Sequence, residues 1–420
     1  MQLIHHSSCR VCGSTALTKV IDLGEQYLQG SFVKPGKELP PMEKLPTALV
    51  RCNAAVDEKA CGLLQMETSV PAEVLYSVYW YRSGTNQTMR GHLKSIADEA
   101  VSAVNKPAAR VLDIGCNDGT LLKCYPSGFR KFGIDPSDVA REVGNDIIIV
   151  QDVFPSAQAT KSLDGLKFNI ITSIAMFYDL EDPVEFARQV SRLLAPDGLW
   201  IFEMSYMPMM LEMNSYDTIC HEHLEYYSLA VLERIVQKAG MEIVNATLNT
   251  INGGSIRCYA THADSSRSKT NEFATALSTL RQHEREMEIG TDKPYRAFQE
   301  RVNRHKESLF ALLKGKKESG KKIHVYGAST KGNTILQWCG IDNRIIDAAA
   351  DRNPEKHGAR TLGTDIPIIS EEESRGMKPD YYLVLPWHFK EEFLERERDM
   401  LRKGVKMIFP LPTVEIIGRE

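Results

Sequence analysis

The stretch ARVLDIGCNDGTLL (109–122) constrains the fold most: a short apolar run rich in strand formers, a glycine-bounded turn, then an apolar stretch with helical spacing. That order opens a βαβ unit, with the turn at the carboxyl end of the first strand of a parallel sheet. KFGIDPS (131–137) places Asp135 at the end of a second short strand, where a carboxylate can accept both hydroxyls of a ribose. IIIVQDVF (147–154) predicts a third strand ending at Asp152, beside which an adenine can sit. FNIITSIAMFYDLEDP (168–183) supplies a fourth, with Ala175 at its exit, and LLAPDGLWIFEMS (193–205) a fifth.

This order, with PDG ahead of the fifth strand, resembles the class I S-adenosylmethionine-dependent methyltransferases. The turn Gly115-Cys116-Asn117-Asp118-Gly119 is not G-x-G-x-x-G, so a dinucleotide-binding Rossmann domain remains the alternative, without a phosphate-grade motif in its favour. A sulfonium ligand carries positive charge and no phosphates. A glycine turn that lets backbone approach closely, with Asp113 and Asp135 nearby, suits it better than a phosphate cradle would. The expected cofactor contacts are Asp113, Gly115, Asn117, Asp135, Asp152 and Ala175.

At 420 residues the chain is long enough for two or three domains, each with its own core. Its 51 Lys plus Arg against 55 Asp plus Glu give a formal charge of -4, which offers no general attraction to a nucleic-acid polymer or an anionic membrane. No apolar run approaches the roughly 18 residues of a membrane span, and the first residues lack an apolar signal core; a cytoplasmic location is expected. Nine cysteines in such a chain argue for metal ligands or buried thiols rather than disulfides. Cys9-x-x-Cys12-Gly13 has the spacing of a zinc knuckle, and Cys52 with Cys61-Gly62 can supply the other two thiolates of a closed, structural Zn2+ site. The eight residues between Cys52 and Cys61 exceed the usual spacing. Unpaired buried thiols, or His5 or His6 in place of Cys52, remain the alternatives.

The densest chemistry lies in DTICHEHLEYY (217–227), about a dozen residues past the fifth strand and therefore over the carboxyl edge of the sheet. His221 and His223 lack the i, i+4 spacing of a helical metal pair. A histidine beside carboxylates is suited instead to removing a proton from a carbon next to a carbonyl, while at least one of the two is expected to be structural.

YWYRSGTNQTMRGHL (79–93), the cofactor turn, DTICHEHLEYYSL, NGGSIR (252–257), VYGASTKGNTILQ, DRNPEKHG and GTDIPI, together with the cysteine motifs, DLGEQYL and CGLLQ, occur in one order along the chain. In this the sequence resembles the sugar C-methyltransferases that act on nucleotide-linked 4-keto-deoxysugars. The resemblance implies α/β architecture in three parts: a zinc-binding module at 1–70, a class I methyltransferase domain with a Rossmann-like sheet at 71–262, and connecting helices with a C-terminal Rossmann-like substrate domain at 263–420. It implies S-adenosylmethionine as methyl donor, His223 as general base, and Glu222 and His221 beside it. The family's tyrosine is replaced here by Cys220, a shorter and much weaker donor; Tyr216, Tyr226, Tyr227, Tyr79 and Tyr81 are candidates to take over its hydrogen bond.

The keto-sugar nucleotide is expected to meet Tyr79, Tyr81, Ser83, Arg90 and His92 on one side and Asn252, Ser255 and Arg257 on another. Arg90 equally suits a helix surface, and NGGSIR a simple turn into a strand. In the C-terminal third, Phe298, Val302, Leu309 and Leu313 mark one stripe of a connecting helix. KIHVYGASTKGNTILQ (322–337) then repeats the strand, turn and helix order, and Gly327, Ser329, Thr330 and Lys331 can hold a diphosphate although no intact Walker A pattern exists. His388 in VLPWHFK reads as a loop residue. A monomer is compatible with all of this.

Overall fold

The computed structural model describes residues 3–75, 82–269 and 274–418; Tyr79 and Tyr81 lie outside them. Three antiparallel strands, β1 (Leu17–Gln26), β2 (Leu45–Cys52) and β3 (Leu64–Met66), build the N-terminal module. The helix α1 (Gln87–Val104) follows, its first turn capped by Asn86, whose side chain accepts from the Met89 N–H at 3.1 Å. Its buried face, Met89, Leu93, Ile96, Ala97, Ala100 and Val104, keeps the three-and-four spacing of an amphipathic helix.

The central sheet takes its strands in the order anticipated: β4 (Arg110–Ile114), β5 (Arg130–Ile134), β6 (Ile147–Val150), β7 (Phe168–Ile174), then helix α2 (Pro183–Leu193) and β8 (Leu194–Ser205). After the short β9 (Glu225–Tyr226) and helix α3 (Leu229–Lys238) come β10 (Met241–Asn249) and β11 (Ser255–His262). The spatial order is β10-β11-β8-β7-β4-β5-β6, with β11 antiparallel to both its neighbours. Strand order reverses between β4 and β7, which opens a crevice at their carboxyl ends. This is the class I methyltransferase fold.

Helices α4 (Ala274–Glu286) and α5 (Lys293–Glu318) lead to a second sheet. Phe298, Val302, Leu309 and Leu313 are all buried along α5, as their spacing predicts. The second sheet holds β12 (Ile323–Tyr326), helix α6 (Thr330–Cys339), β13 (Ala348–Asp351), β14 (Ile368–Ser370), β15 (Tyr381–Val384), β16 (Lys406–Phe409) and β17 (Glu415–Ile417). Its order is β14-β13-β12-β15-β16-β17, parallel except for β17, so it has its own crevice between β12 and β15.

Packing does not divide the chain at residue 262. The buried Glu284 carboxylate of α4 accepts from Tyr206 Oη at 2.6 Å and from the first N–H groups of α3, at Leu229 (2.5 Å) and Ala230 (3.2 Å), which fastens α4 to the methyltransferase layer. The N-terminal module is likewise woven into both partners. β9 adds itself to β3, and Phe32–Val33 pairs antiparallel with Arg360–Thr361 of the C-terminal domain. Tyr27 is read through its backbone by Gln337 of α6, whose Oε1 accepts from the Tyr27 N–H at 2.7 Å and whose Nε2 donates to the Tyr27 carbonyl at 3.2 Å.

Gly363 of the GTDIPI motif lies at φ +80°, and a Cβ there would run into the Tyr27 ring. Gly363→Ala should therefore loosen this seam and cost about 1–3 kcal/mol of stability. Urea unfolding checks it, and an unchanged midpoint would show that the ring yields freely.

Candidate active site

The four cysteines of the N-terminal module meet. All four Sγ atoms lie within 4.8 Å of one another, and Cys9–Cys61 and Cys12–Cys52 are each separated by 3.4 Å without forming disulfides. Tetrahedral zinc, with Zn–S bonds of about 2.3 Å, holds sulfurs about 3.8 Å apart, so the donor set and its span fit Zn2+. The long Cys52–Cys61 insert does not separate the ligands because it folds on itself: Asp57 N–H donates to the Asn53 carbonyl at 3.1 Å, and Ser14 Oγ donates to Asp57 Oδ2 at 2.5 Å. The module packs on α3, where Lys238 Nζ donates to the Val11 carbonyl at 2.8 Å; its four-sulfur set leaves no open position for chemistry.

The crevice at the ends of β4 and β7 is lined as a methyl-donor site requires. Gly115 sits at φ +79°, and a Cβ on it would come within 2.9 Å of the Met176 side chain. The turn's N–H groups are already spent. Gly115 and Cys116 donate to the Ile134 carbonyl at 2.8 and 3.1 Å, and Asn117 to Asp135 Oδ2 at 2.8 Å. With those three donors consumed, the turn keeps few N–H groups for a pyrophosphate, and Asp135, which also accepts from the Ser137 N–H (2.9 Å) and Oγ (2.5 Å), is a buried carboxylate at the strand end where such folds place a ribose. Asp113, bonded by Thr172 Oγ1 at 2.6 Å, is pushed up to about 7 by burial. Ala175 follows β7 with φ +54° and its N–H on the Glu203 carbonyl, and Asp152 accepts from the Val153 N–H at 2.8 Å. These residues fit S-adenosylmethionine.

Loop 217–223 lies in neither a regular strand nor a helix beyond a short turn at Tyr216–Thr218, so each histidine's direction is set by its own bonds. His221 is the structural one. Its Nδ1 donates to Gln29 Oε1 at 2.7 Å, and its Nε2 lies 3.3 Å from Thr47 Oγ1 and 3.2 Å from the Pro46 carbonyl, all in the N-terminal module. Burial pushes its imidazole down to about 4. His223 instead donates Nδ1–H to the Thr218 carbonyl at 2.7 Å and lies beside the Tyr178 ring, centroids 4.3 Å apart. That fixes the tautomer, and Nε2 carries the lone pair with no hydrogen-bond partner among the described residues. Burial and then the Lys331 charge push His223 down to about 3, so it rests neutral.

Glu222 is pushed up to about 7 by burial. Its Oε1 fills the space where a Cβ on Gly30 would stand, close to Thr330 of α6. Cys220 is fully buried, and burial, with the neighbouring Glu222 and Asp179, raises its thiol well above the ordinary range. The hydroxyls considered as replacements for the missing phenol are largely committed. Tyr216 Oη is bonded to His305 Nδ1 (2.9 Å), Tyr227 Oη donates to the Phe177 carbonyl (3.3 Å), and Tyr226 Oη to the Thr218 carbonyl (3.3 Å).

On the substrate side the structure corrects several expectations. His92 Nε2 is 2.5 Å from Glu203 Oε1. Arg257 Nε donates to Glu203 Oε2 at 2.8 Å and its guanidinium also to Glu99 at 2.7 Å, so both side chains are engaged by the buried Glu203 carboxylate. Arg90 is exposed on the first turn of α1, donating to the Gly84 carbonyl at 2.5 Å. Ser255 Oγ is turned to the Ile251 carbonyl at 2.9 Å. Ser83 and Gly84 lie over the cofactor turn, their N–H groups on Asn117 Oδ1 (3.0 Å) and Asp118 Oδ2 (2.8 Å). Asn252, at φ +55°, receives Lys331 Nζ on its carbonyl at 2.7 Å, and Ser329 Oγ caps α6 through the Gly332 N–H at 3.1 Å. Sequence inspection missed Asp179, Asp217 and Gln29, and treated His388 as ordinary loop. Only its place directly after a parallel strand at a switch point marked it.

Three family models match successive segments of the chain. Residues 9–76 match a family described as "Putative zinc binding domain", 86–246 "Methyltransferase domain" and 250–412 "C-methyltransferase C-terminal domain". The chain is 29% identical over 98% of its length, and 97% of the other's, to C-methyltransferase NovU of Streptomyces niveus. It is 20% identical to a ubiquinone biosynthesis O-methyltransferase of Neisseria meningitidis serogroup C, over 40% of this chain and 78% of that one. Among solved structures, magnesium protoporphyrin IX methyltransferase of Synechocystis with bound S-adenosylmethionine aligns at TM-score 0.33 and 15% identity, over 44% of this chain and 87% of that one.

One zinc per chain is expected by atomic absorption, and Cys12→Ser should lose it with a fall in melting temperature of roughly 5 °C or more; full metal retention would break the assignment. The depressed folded-state pKa of His221 sets a second expectation. As pH falls from about 6.5 towards 4 the unfolded chain takes up the proton first, so this residue's contribution to stability is lost in that window. Glu222 and Asp113 act in the opposite sense and are common to both proteins, so the comparison is differential. Between pH 7 and 5 the original chain should lose more stability than His221→Gln, by urea midpoints.

Proposed function

The chain is an S-adenosylmethionine-dependent C-methyltransferase, and we propose that it methylates C-3 of a nucleotide-diphosphate 4-keto-deoxysugar. The observation that carries this reading is the state of His223: neutral, tautomer fixed by the Thr218 carbonyl, and Nε2 bare in the loop over the sheet's carboxyl edge. Such a nitrogen takes a proton from a carbon acidified by an adjacent ketone. The resemblance of the ordered motifs to the sugar C-methyltransferases supports the substrate class. Bound at the Gly115 turn, S-adenosylmethionine supplies an electrophilic methyl on a positively charged sulfur.

The chain's own residues hold the rest. Tyr178 walls one side of the His223 ring, and Gln29 and Thr47 lock His221 so that the loop between the two histidines keeps its shape. Glu222, its carboxyl pushed up to about 7 by burial, is seated against Gly30 of the N-terminal module. No helix among the described residues is long and apolar enough to cross a membrane. Cys220 supports a second reading, a different enolisable ketone, because a buried protonated thiol leaves the oxygen side of the pocket without the phenol of the sugar enzymes.

The test is incubation of the enzyme with S-adenosylmethionine and thymidine-, cytidine- and guanosine-diphosphate 4-keto-6-deoxysugars in deuterated water, read by mass spectrometry and NMR. Deuterium wash-in at C-3 or a new carbon-bound methyl is the expected result. His223→Ala should slow methylation by roughly 100-fold or more while S-adenosylmethionine affinity stays near normal. Unchanged turnover would remove His223 as the base.

A further inference from the structure

Lys331 stands at the start of α6, where a lysine invites assignment to a diphosphate, yet its ammonium is directed elsewhere. It donates to the Asn252 carbonyl at 2.7 Å, inside the seam between the NGGSIR turn and the C-terminal domain. That seam is tight. A Cβ on Gly253 would come within 2.9 Å of the Trp387 ring, and Trp387 Nε1 donates to Asp217 Oδ2 at 2.8 Å, leaving Asp217 Oδ1 buried without a partner. From the same helix face, Thr334 Oγ1 donates to the Ile219 carbonyl at 3.4 Å, and Thr330 and Glu222 both line the space beside Gly30. Helix α6 thus docks its first turns on the loop that carries His223, and Lys331, itself partly buried, shares a chamber with Asp217, Cys220, His223 and His388, all within reach of its charge.

We propose that Lys331 is a catalytic residue, the cation that stabilises the substrate's enolate oxygen in place of the phenol that Cys220 cannot supply. The inference rests on the C-methylation reading above. In the step assigned to this chamber, the C–H bond next to the ketone breaks and its proton goes to His223 Nε2. The electron pair becomes the carbon–carbon double bond as the carbonyl pair moves onto oxygen, which gains a full negative charge. That carbon then bonds to the donor's methyl while the C–S pair returns to sulfur, and His223 releases its proton to solvent. An ammonium fixed by the Asn252 carbonyl favours this state selectively, because the ketone it meets beforehand is uncharged. Lys331 also discourages protonation of His223, keeping the base unprotonated while the oxygen charge is still absent. His388, with Nδ1 buried and unpartnered, faces the same ammonium, and Asp217 opposes its charge across the chamber.

The experiment is solvent-deuterium exchange without the methyl donor, using whichever of the three nucleotide 4-keto-6-deoxysugars exchanges fastest. Lys331→Met should lower the saturated exchange rate by about 100-fold with KM within roughly threefold, and Lys331→Arg should recover much of it by restoring a cation. The acid limb of kcat/KM should move to higher pH in the Met variant, since His223 then protonates more easily. Lys331→Gln serves if the Met variant fails to fold, judged by melting and by S-adenosylmethionine binding. Unchanged saturated exchange with a raised KM would overturn the assignment and make Lys331 a diphosphate grip, and so would an unmoved acid limb. Absence of exchange by the unsubstituted enzyme while S-adenosylmethionine still binds would overturn the C-methylation reading itself, and this assignment with it.

Discussion

The imidazole of His221, buried between the methyltransferase layer and the N-terminal module, joins three parts of the chain through one amide. Gln29 Oε1 accepts from both the His221 backbone N–H (3.2 Å) and its Nδ1 (2.7 Å), while the Gln29 carbonyl receives Asn333 Nδ2 of α6 at 2.7 Å. The loop that carries Glu222 and His223 is therefore held from both the N-terminal module and the C-terminal domain. Unpaired, each of these buried polar groups would cost a desolvation penalty of about 1–3 kcal/mol, so the three parts are energetically coupled at the site. The zinc cluster acts at a distance from the chemistry, by giving a small module the rigidity to hold Gln29, Gly30 and Thr47 in place.

The two parallel sheets solve the same local problem in the same way. In the first, the Gly115 N–H donates to the Ile134 carbonyl and Asp135 accepts from Asn117; in the second, the Gly327 N–H donates to the Ala350 carbonyl and Asp351 accepts from Ala328, each bond at 2.8 Å. Each turn is closed by a carboxylate at the end of the next strand. Their crevices differ in what faces them: Met176 packs over Gly115, whereas Pro386 packs over Gly327 and brings Trp387 and His388 with it. The second sheet thereby delivers Trp387, His388 and Lys331 to the first sheet's loop, at the seam between them.

Much of this was legible in the sequence. The strand, glycine turn, helix pattern and the acidic residue after the second strand specified the central sheet, because both arise from local backbone demands that few residues satisfy. The α5 stripe and the cysteine pairs were visible for the same reason, as spacing rules that act over one or two turns. What escaped were polar side chains whose partners lie far along the chain without a motif to announce them. Arg257 and His92 look like ligand contacts until Glu203 is found between them, and nothing local to Arg257 announces a carboxylate 54 residues earlier. Asp217 and His388 look ordinary for the same reason.

Sequence by itself determined the architecture of the central sheet and proposed the four cysteines as zinc ligands, since these depend on residue type and short-range spacing that survive without coordinates; His223 entered as candidate base through the family resemblance. Tertiary structure alone decided which histidine is structural and which is free, because the two differ by two positions but bond to Gln29 in one case and to the Thr218 carbonyl in the other. It also decided where Lys331 points. The direction of a charged side chain is set by the dielectric and partners around it, and those are assembled here from segments separated by 79 residues and more.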